Sequence, residues 1–326
     1  MALWREHEPA TFTATIAAAA ERRGIQPLAV EKDYWVCEVL RAIVAAHPGQ
    51  VVFKGGTSLE KLRIIRRFSE DLDILVVGDY PSSGAARRAL KAMMATAAST
   101  TGGELSGAES GGNPGTFHRE AYLSLPLDYS DNPPAGIADP SGLRLELGQT
   151  GGPNPSRLRP VQSLLARELA GSGVGRWDDL TAFDVTILHP GRTLIEKLLR
   201  VNNFVSDPAR RGTAGLPRIG RQFYDIWALL GNDEVRELLE DKAQFGEIIS
   251  STYEVSQAFK ADCPMPAGGF AASLAFDPGG PFADQLRREH DTAMSDLYYG
   301  TDEPLPFDEV LDRVHSYAEL LDPQRP

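Results

Sequence analysis

Lys54-Gly55-Gly56-Thr57-Ser58 and, shortly after it, Arg67-Phe68-Ser69-Glu70-Asp71-Leu72-Asp73-Ile74-Leu75 form the stretch whose reading decides the fold. Val51-Val52-Phe53, just ahead, has the character of a short buried strand. The two glycines allow a tight turn, and a hydroxyl behind them can cap a helix carrying Leu59 and Leu62. A loop of Arg66-Arg67-Phe68-Ser69 then leads into a second strand, Leu72 to Val77. Residues i and i+2 of a strand face the same side, so Asp71 and Asp73 present two carboxylates together. Bare, they would raise each other's pKa, and the pair makes most sense with divalent cations between them.

Further along, Leu143-Arg144-Leu145-Glu146-Leu147 alternates strictly, a half-buried strand whose polar face offers Glu146 as a third carboxylate. Arg144 beside it can simply balance charge. A two-metal site of this kind orients a nucleotide's phosphates, activates an attacking hydroxyl and neutralises the leaving pyrophosphate. Gly55 and Gly56 let backbone N–H groups approach a phosphate, the helix N-terminus adds attraction, and Lys54 or Ser69 can touch the phosphates directly. A Gly-Gly-Thr-Ser turn alone is more often plain punctuation, and Asp-x-Asp alone a solvated strand edge. Their joint occurrence within Lys54 to Asp73 favours the functional reading.

Outward from this stretch, Thr11 to Arg23 reads as an alanine-rich helix stopped by Gly24. Pro27 starts a second, with Val30, Tyr34, Cys37, Leu40 and Val44 on one apolar face. A helix from Ala85 to Thr96 follows, and then residues 102–115, which hold six glycines and Pro114 and read as a loop or hairpin tip. Strands resume at Ala121 to Leu127. The Gly/Pro/Asn-rich run from Gly148 to Pro160 reads as a connector, which sets a domain boundary near residue 155. Beyond it helices are expected at 161–169, 193–201, 219–230, 234–251, 282–299 and 307–321.

The chain has 326 residues, 42% apolar and 24% charged, which suits an ordinary folded core and excludes wholesale disorder. Only Cys37 and Cys263 occur, so a disulfide framework and a cysteine-rich zinc site are excluded. The six histidines never fall at the short spacings of a His-ligated zinc site, so any metal must come from carboxylates. No run approaches the roughly 20 apolar residues of a membrane span, and Met1 to Pro9 carries Arg5, Glu6 and Glu8, so a cytoplasmic protein is expected. The net charge of −12 argues against coating nucleic acid indiscriminately, while leaving room for a local basic cleft. There is no G-x-x-x-x-G-K-[ST] loop, no G-x-S-x-G elbow and no H-E-x-x-H.

Lys54-Gly-Gly-Thr-Ser-Leu with Arg67-Phe-Ser-Glu-Asp-Leu-Asp resembles the core signature of the AbiEii/MenT nucleotidyltransferase-like toxins, relatives of the polymerase-β-type nucleotidyltransferases. The likeness extends to Val30-Glu31-Lys32-Asp33-Tyr34-Trp35, to Leu194-Ile195-Glu196-Lys197 and to Arg221-Gln222-Phe223-Tyr224-Asp225-Ile226. The resemblance implies an α/β (α+β) fold. Residues 1–155 would form a polymerase-β-like nucleotidyltransferase core with a mixed sheet and N-terminal helices, and residues 156–326 a mainly helical half completing the active-site cleft. It implies that Lys54, Ser69, Asp71, Lys197 and Asp225 are functional, with Gly55, Gly56, Thr57 and Ser58 in the nucleotide-binding turn. Mg²⁺ or Mn²⁺ would be the metal, with Asp71 a ligand by the resemblance and Asp73 and Glu146 by the strand patterns above, and an NTP would be the substrate. The expected activity is nucleotide transfer to the 3′ end of tRNA, blocking translation, with a cognate antitoxin as partner. The alternatives are transfer to a protein or small molecule, or a nucleotide-binding regulator of phage defence that does not catalyse.

Read from the residues alone, Glu196, Lys197 and Arg200 share one side of a helix opposite Leu194, Leu198 and Val201, so Lys197 is expected to point out of the core. Arg218, Arg221 and Asp225 form one stripe, and Asp225 is either paired with Arg221 or a base or ligand. Among the basic residues, Arg66, Arg67, Arg218 and Arg221 are the candidates for carrying an RNA backbone.

Overall fold

The structure, a computed structural model, describes residues 2–107, 118–131, 139–149, 152–171, 177–207, 219–257 and 263–324. Most of the glycine-rich run (108–115) and Arg218 lie outside the described residues. The chain divides into two compact units, Met1–Leu62 with Phe68–Ile187 and Arg63–Arg67 with Leu188–Pro326.

The first unit is built on a mixed seven-stranded sheet of order β3-β4-β5-β2-β1-β7-β6. Its strands are β1 (Val51–Lys54), β2 (Leu72–Val76), β3 (Leu105–Ser106), β4 (His118–Ser124), β5 (Gly142–Gly148), β6 (Ser156–Val161) and β7 (Phe183–Leu188). Helices α1 (Trp4–His7), α2 (Pro9–Arg23), α3 (Pro27–Ala46), α4 (Gly55–Lys61), α5 (Ser83–Thr101) and α6 (Leu164–Glu168) complete it. Strand alternation sorts the side chains. Phe53, Leu72, Ile74, Leu145, Leu147, Leu123 and Ile187 join Ile16, Tyr34, Leu40, Leu90 and Met93 of α2, α3 and α5 in one buried cluster. The intervening residues Lys54, Asp73, Arg144 and Glu146 therefore occupy the opposite sheet face.

The expected boundary near residue 155 gives way to one at Ile187/Leu188, because β6 and β7 still belong to the sheet. In β7, Val185 and Ile187 alternate with Asp184 and Thr186, a short pattern set just ahead of a long helix. β6 hides better. It is an edge strand carrying Arg157, Arg159 and Pro160, with Leu158 62% exposed and only its last residue, Val161, buried, so no alternation marks its period.

The second unit contains α7 (Pro190–Ser206), α8 (Gly220–Leu230), α9 (Asp233–Glu240), α10 (Lys242–Gln257), α11 (Ala283–Leu297) and α12 (Phe307–Ser316). The single helix expected over 234–251 is two, separated at Asp241. Phe223 of α8 packs edge-on against Phe276 and Phe307 at 5.9 and 5.1 Å. α8 and α11 approach so closely that a Cβ on Gly220 would lie 1.9 Å from the Glu289 carbonyl oxygen. No helix among the described residues is long and apolar enough to cross a membrane.

Candidate active site

β1, β2 and β5 lie side by side, and their register aligns Lys54 with Asp73 and Asp73 with Glu146. β4 extends the row, with Glu120 opposite Glu146 and Tyr122 opposite Arg144. One polar face thus carries Lys54, Asp73, Glu146 and Glu120 abreast. The turn at the end of β1 is built around this row. Gly55 has φ +77, and a Cβ there would sit 2.1 Å from Asp73 Oδ2, so only glycine leaves room for the carboxylate. Gly56, like Lys54, Ser69 and Asp73, is partly exposed.

Thr57 and Ser58 are buried, and their hydroxyls work inside the turn. Thr57 donates to the Asp71 carbonyl and lies 3.0 Å from Ser69 Oγ, while Ser58 donates to the Gly55 carbonyl at 2.8 Å. Thr57 fastens α4 to the Ser69–Asp71 segment, and Ser58 closes the first turn of α4. Asp71 is 4% exposed and lies just before β2, so of the two aspartates only Asp73 reaches solvent to an appreciable degree.

Behind this region α3 carries three consecutive charged residues, all buried, although the sequence pattern assigns that helix only an apolar face, and the middle one reaches the Ser69–Asp71 segment. Glu31 accepts from the backbone N–H groups of Asp128 and Tyr129. Lys32, wholly buried, donates to Glu70 at 2.6 Å and to the Asp139 carbonyl. Asp33 pairs with Lys61 at the end of α4 and accepts from the Leu164 N–H. Glu70, between Ser69 and Asp71, is thus tied through Lys32 to α3. The Glu31-Lys32-Asp33 run was legible in sequence, and what concealed its role was that its partners lie 28 to 131 residues away.

In the second unit, Asp225 is fully buried and accepts two hydrogen bonds from Arg67, at 2.7 and 2.6 Å, and a third interaction from Lys197 Nζ at 2.6 Å. Lys197 also donates to Gln222 Oε1 at 2.9 Å. Lys197 therefore does not point out of the core, because Asp225 on α8 draws it inward, and the helix-surface pairing expected from its own helix is overridden. Asp225 is thus held by Arg67 and Lys197. Burial alone would raise the Asp225 carboxyl, but the two cations outweigh it and hold the group at about 2. Burial pulls the Lys197 ammonium below its ordinary value against the opposing pull of Asp225. Arg67 is 1% exposed, so its guanidinium is committed within the unit and is not an RNA-facing surface charge. Arg66 is exposed and lies 3.5 Å from Asp302, and Arg221 is partly exposed.

Asp71, Asp73 and Glu146 are hard oxygen donors, the chemistry a Mg²⁺ or Mn²⁺ ion requires, and Gly55 keeps space at Asp73. Among the described residues no three acidic, histidine or cysteine side chains converge on a single metal position. Arg144 touches two of the three candidate ligands, with Nη2 3.5 Å from Glu146 and Nη1 3.8 Å from Asp71, while its Nε donates to Glu120 at 2.7 Å. The hydrogen bond from Arg144 holds Glu120 below the usual carboxylate range.

Comparison with curated proteins finds no match. Among solved structures the chain is similar to MenT4, a nucleotidyltransferase toxin from Mycobacterium tuberculosis H37Rv, with 17% identity and a TM-score of 0.53 over 95% of this chain and 89% of that one, a likeness of fold. It is more distantly similar to JHP933 from Helicobacter pylori, with 14% identity and a TM-score of 0.35 over 86% of this chain and 90% of that one. The model of the AbiEii family, nucleotidyl transferase toxins of type IV toxin–antitoxin systems, matches residues 38–313, and the chain belongs to that family.

Proposed function

We propose that this toxin transfers a nucleotide from an NTP to the 3′ end of tRNA in the cytoplasm, in a reaction that requires Mg²⁺ or Mn²⁺, and that a cognate antitoxin restrains it. The observation that carries the reading is the register that sets Lys54, Asp73 and Glu146 abreast on the one polar sheet face, next to a turn that must be glycine. Asp71, Asp73 and Glu146 hold the metal in this reading, and the ion supplies Lewis-acid polarisation of the phosphoryl group and activation of the acceptor hydroxyl. Lys54 and the backbone of Gly55 and Gly56 bind phosphate oxygens, and Ser69, positioned by Thr57, adds a hydroxyl contact. Lys32, through Glu70, keeps the Ser69–Asp71 segment in place. Lys197 carries a positive charge that Asp225 and Gln222 orient.

The test is incubation of the purified chain with Mg²⁺, each labelled NTP in turn and total RNA, followed by a denaturing gel. Label on tRNA, lost with EDTA, supports the reading. Label on a protein or small molecule assigns a different acceptor to the same donor site, and bound but unaltered nucleotide makes the chain a nucleotide-binding regulator.

A further inference from the structure

Arg144 lies on β5 two residues before Glu146, and so on the same polar face. Its guanidinium reaches three carboxylates: Glu120 at 2.7 Å, Glu146 at 3.5 Å and Asp71 at 3.8 Å. Two of these belong to the metal set in the reading above, and Glu120 on β4 anchors the guanidinium beside them. Around the guanidinium stand Asp71, Glu120 and Glu146, with Asp73 and Lys54 in the same row and His118 3.9 Å from Glu146. A guanidinium and a metal ion are drawn by the same carboxylate charges. At separations near 4 Å in a partly desolvated site their repulsion is large, so Asp71 and Glu146 cannot serve both fully at once.

We propose that Arg144 is a built-in competitor of the divalent cation. It weakens binding of the bare metal ion and turns its guanidinium to the nucleotide's phosphates when metal and NTP arrive together, so that metal loading depends on nucleotide. The inference rests on the proposed metal-dependent transfer and assigns Arg144 a positioning role in it.

The test measures Mn²⁺ binding to the full-length chain by electron paramagnetic resonance without nucleotide, and separately the binding of each Mg²⁺-NTP, for the unaltered chain and for Arg144→Gln and Arg144→Met. Met keeps the apolar stem, so a folded neutral variant is at hand if Gln disturbs β5. Removing the competing charge should tighten Mn²⁺ by about tenfold while weakening the Mg²⁺-NTP complex by a similar factor. General damage to the sheet would weaken both. Mn²⁺ binding that is unchanged or weaker in both variants overturns the inference. Asp73→Asn separates the two levels: if it binds Mn²⁺ as tightly as the unaltered chain, the metal reading itself falls, and this inference with it.

Discussion

The sheet face in the first unit and the ionic cluster in the second use the same kinds of residue under opposite conditions. Lys54, Asp73 and Glu146 stand partly exposed, and Arg144 bridges several acids loosely. Arg67, Asp225 and Lys197 are almost dry, with short contacts that order each group. Charges held in the interior act on the fold, whereas charges at a half-open face lie within reach of a ligand. The contrast predicts that loss of Asp225 costs mainly stability and loss of Asp73 mainly activity.

Asp225→Asn should produce the largest change in stability. It leaves Arg67 and Lys197 buried beside a neutral amide, and breaking a buried pair from one side costs about 3–5 kcal/mol. Urea unfolding should record a loss of that order, and a loss below about 1 kcal/mol would return Asp225 to the class of exposed charges. Lys32→Met should come next. It leaves Glu70 buried without its ammonium and the Asp139 carbonyl without its donor, at a cost of about 2–4 kcal/mol. Transfer should fall with it as the Ser69–Asp71 segment loosens, and an unaltered kcat in a destabilised variant would separate the brace from the site.

The acid limb of stability tests the same contrast. The Asp225 carboxyl is held at about 2 against an ordinary 3.8, so the stability it contributes is complete above pH 3.8 and is lost as pH falls through about 2. That limb is worth about 2 kcal/mol and should be missing in Asp225→Asn. A second pH effect comes from His290, wholly buried and donating from Nε2 to the Leu305 carbonyl, with its pKa lowered by burial. The folded state then resists protonation that the unfolded chain accepts, so stability present above the ordinary value of 6.5 declines as pH falls below it. His290→Gln should flatten this decline in a pH series of melting curves.

The smallest expected effect concerns RNA. With a net charge of −12, the proposed binding of tRNA must rest on a few local cations, and of the candidate set that the structure describes Arg66 is exposed and Arg221 partly exposed. Replacing either by Gln should make the log-log salt slope shallower by about one unit, and an unchanged slope would remove that arginine from the acceptor surface.

Much of the first unit was legible because the pattern is local. Strict alternation in Leu143–Leu147 gave β5, the glycine turn gave the β1–α4 junction, and Gly24 does end α2 with φ +66. What escaped was decided by partners remote in sequence. Lys197 shows nothing on its own helix of the burial imposed by Asp225, and Arg67, grouped with surface arginines, is claimed by a carboxylate 158 residues away. Arg144 could be seen as a balancing charge, but that it reaches Asp71 depends on β2 and β5 being parallel neighbours, which no spacing reveals.

The most direct test of the central claim is Asp73→Asn, measured for nucleotide transfer and for thermal unfolding in the same preparation. Asp73 is partly exposed on the polar face, so the account predicts a loss of transfer of at least about a hundredfold, roughly 2.7 kcal/mol of transition-state stabilisation, with stability within about 1 kcal/mol of the unaltered chain. Transfer close to that of the unaltered chain, or unfolding as severe as that of Asp225→Asn, would contradict it.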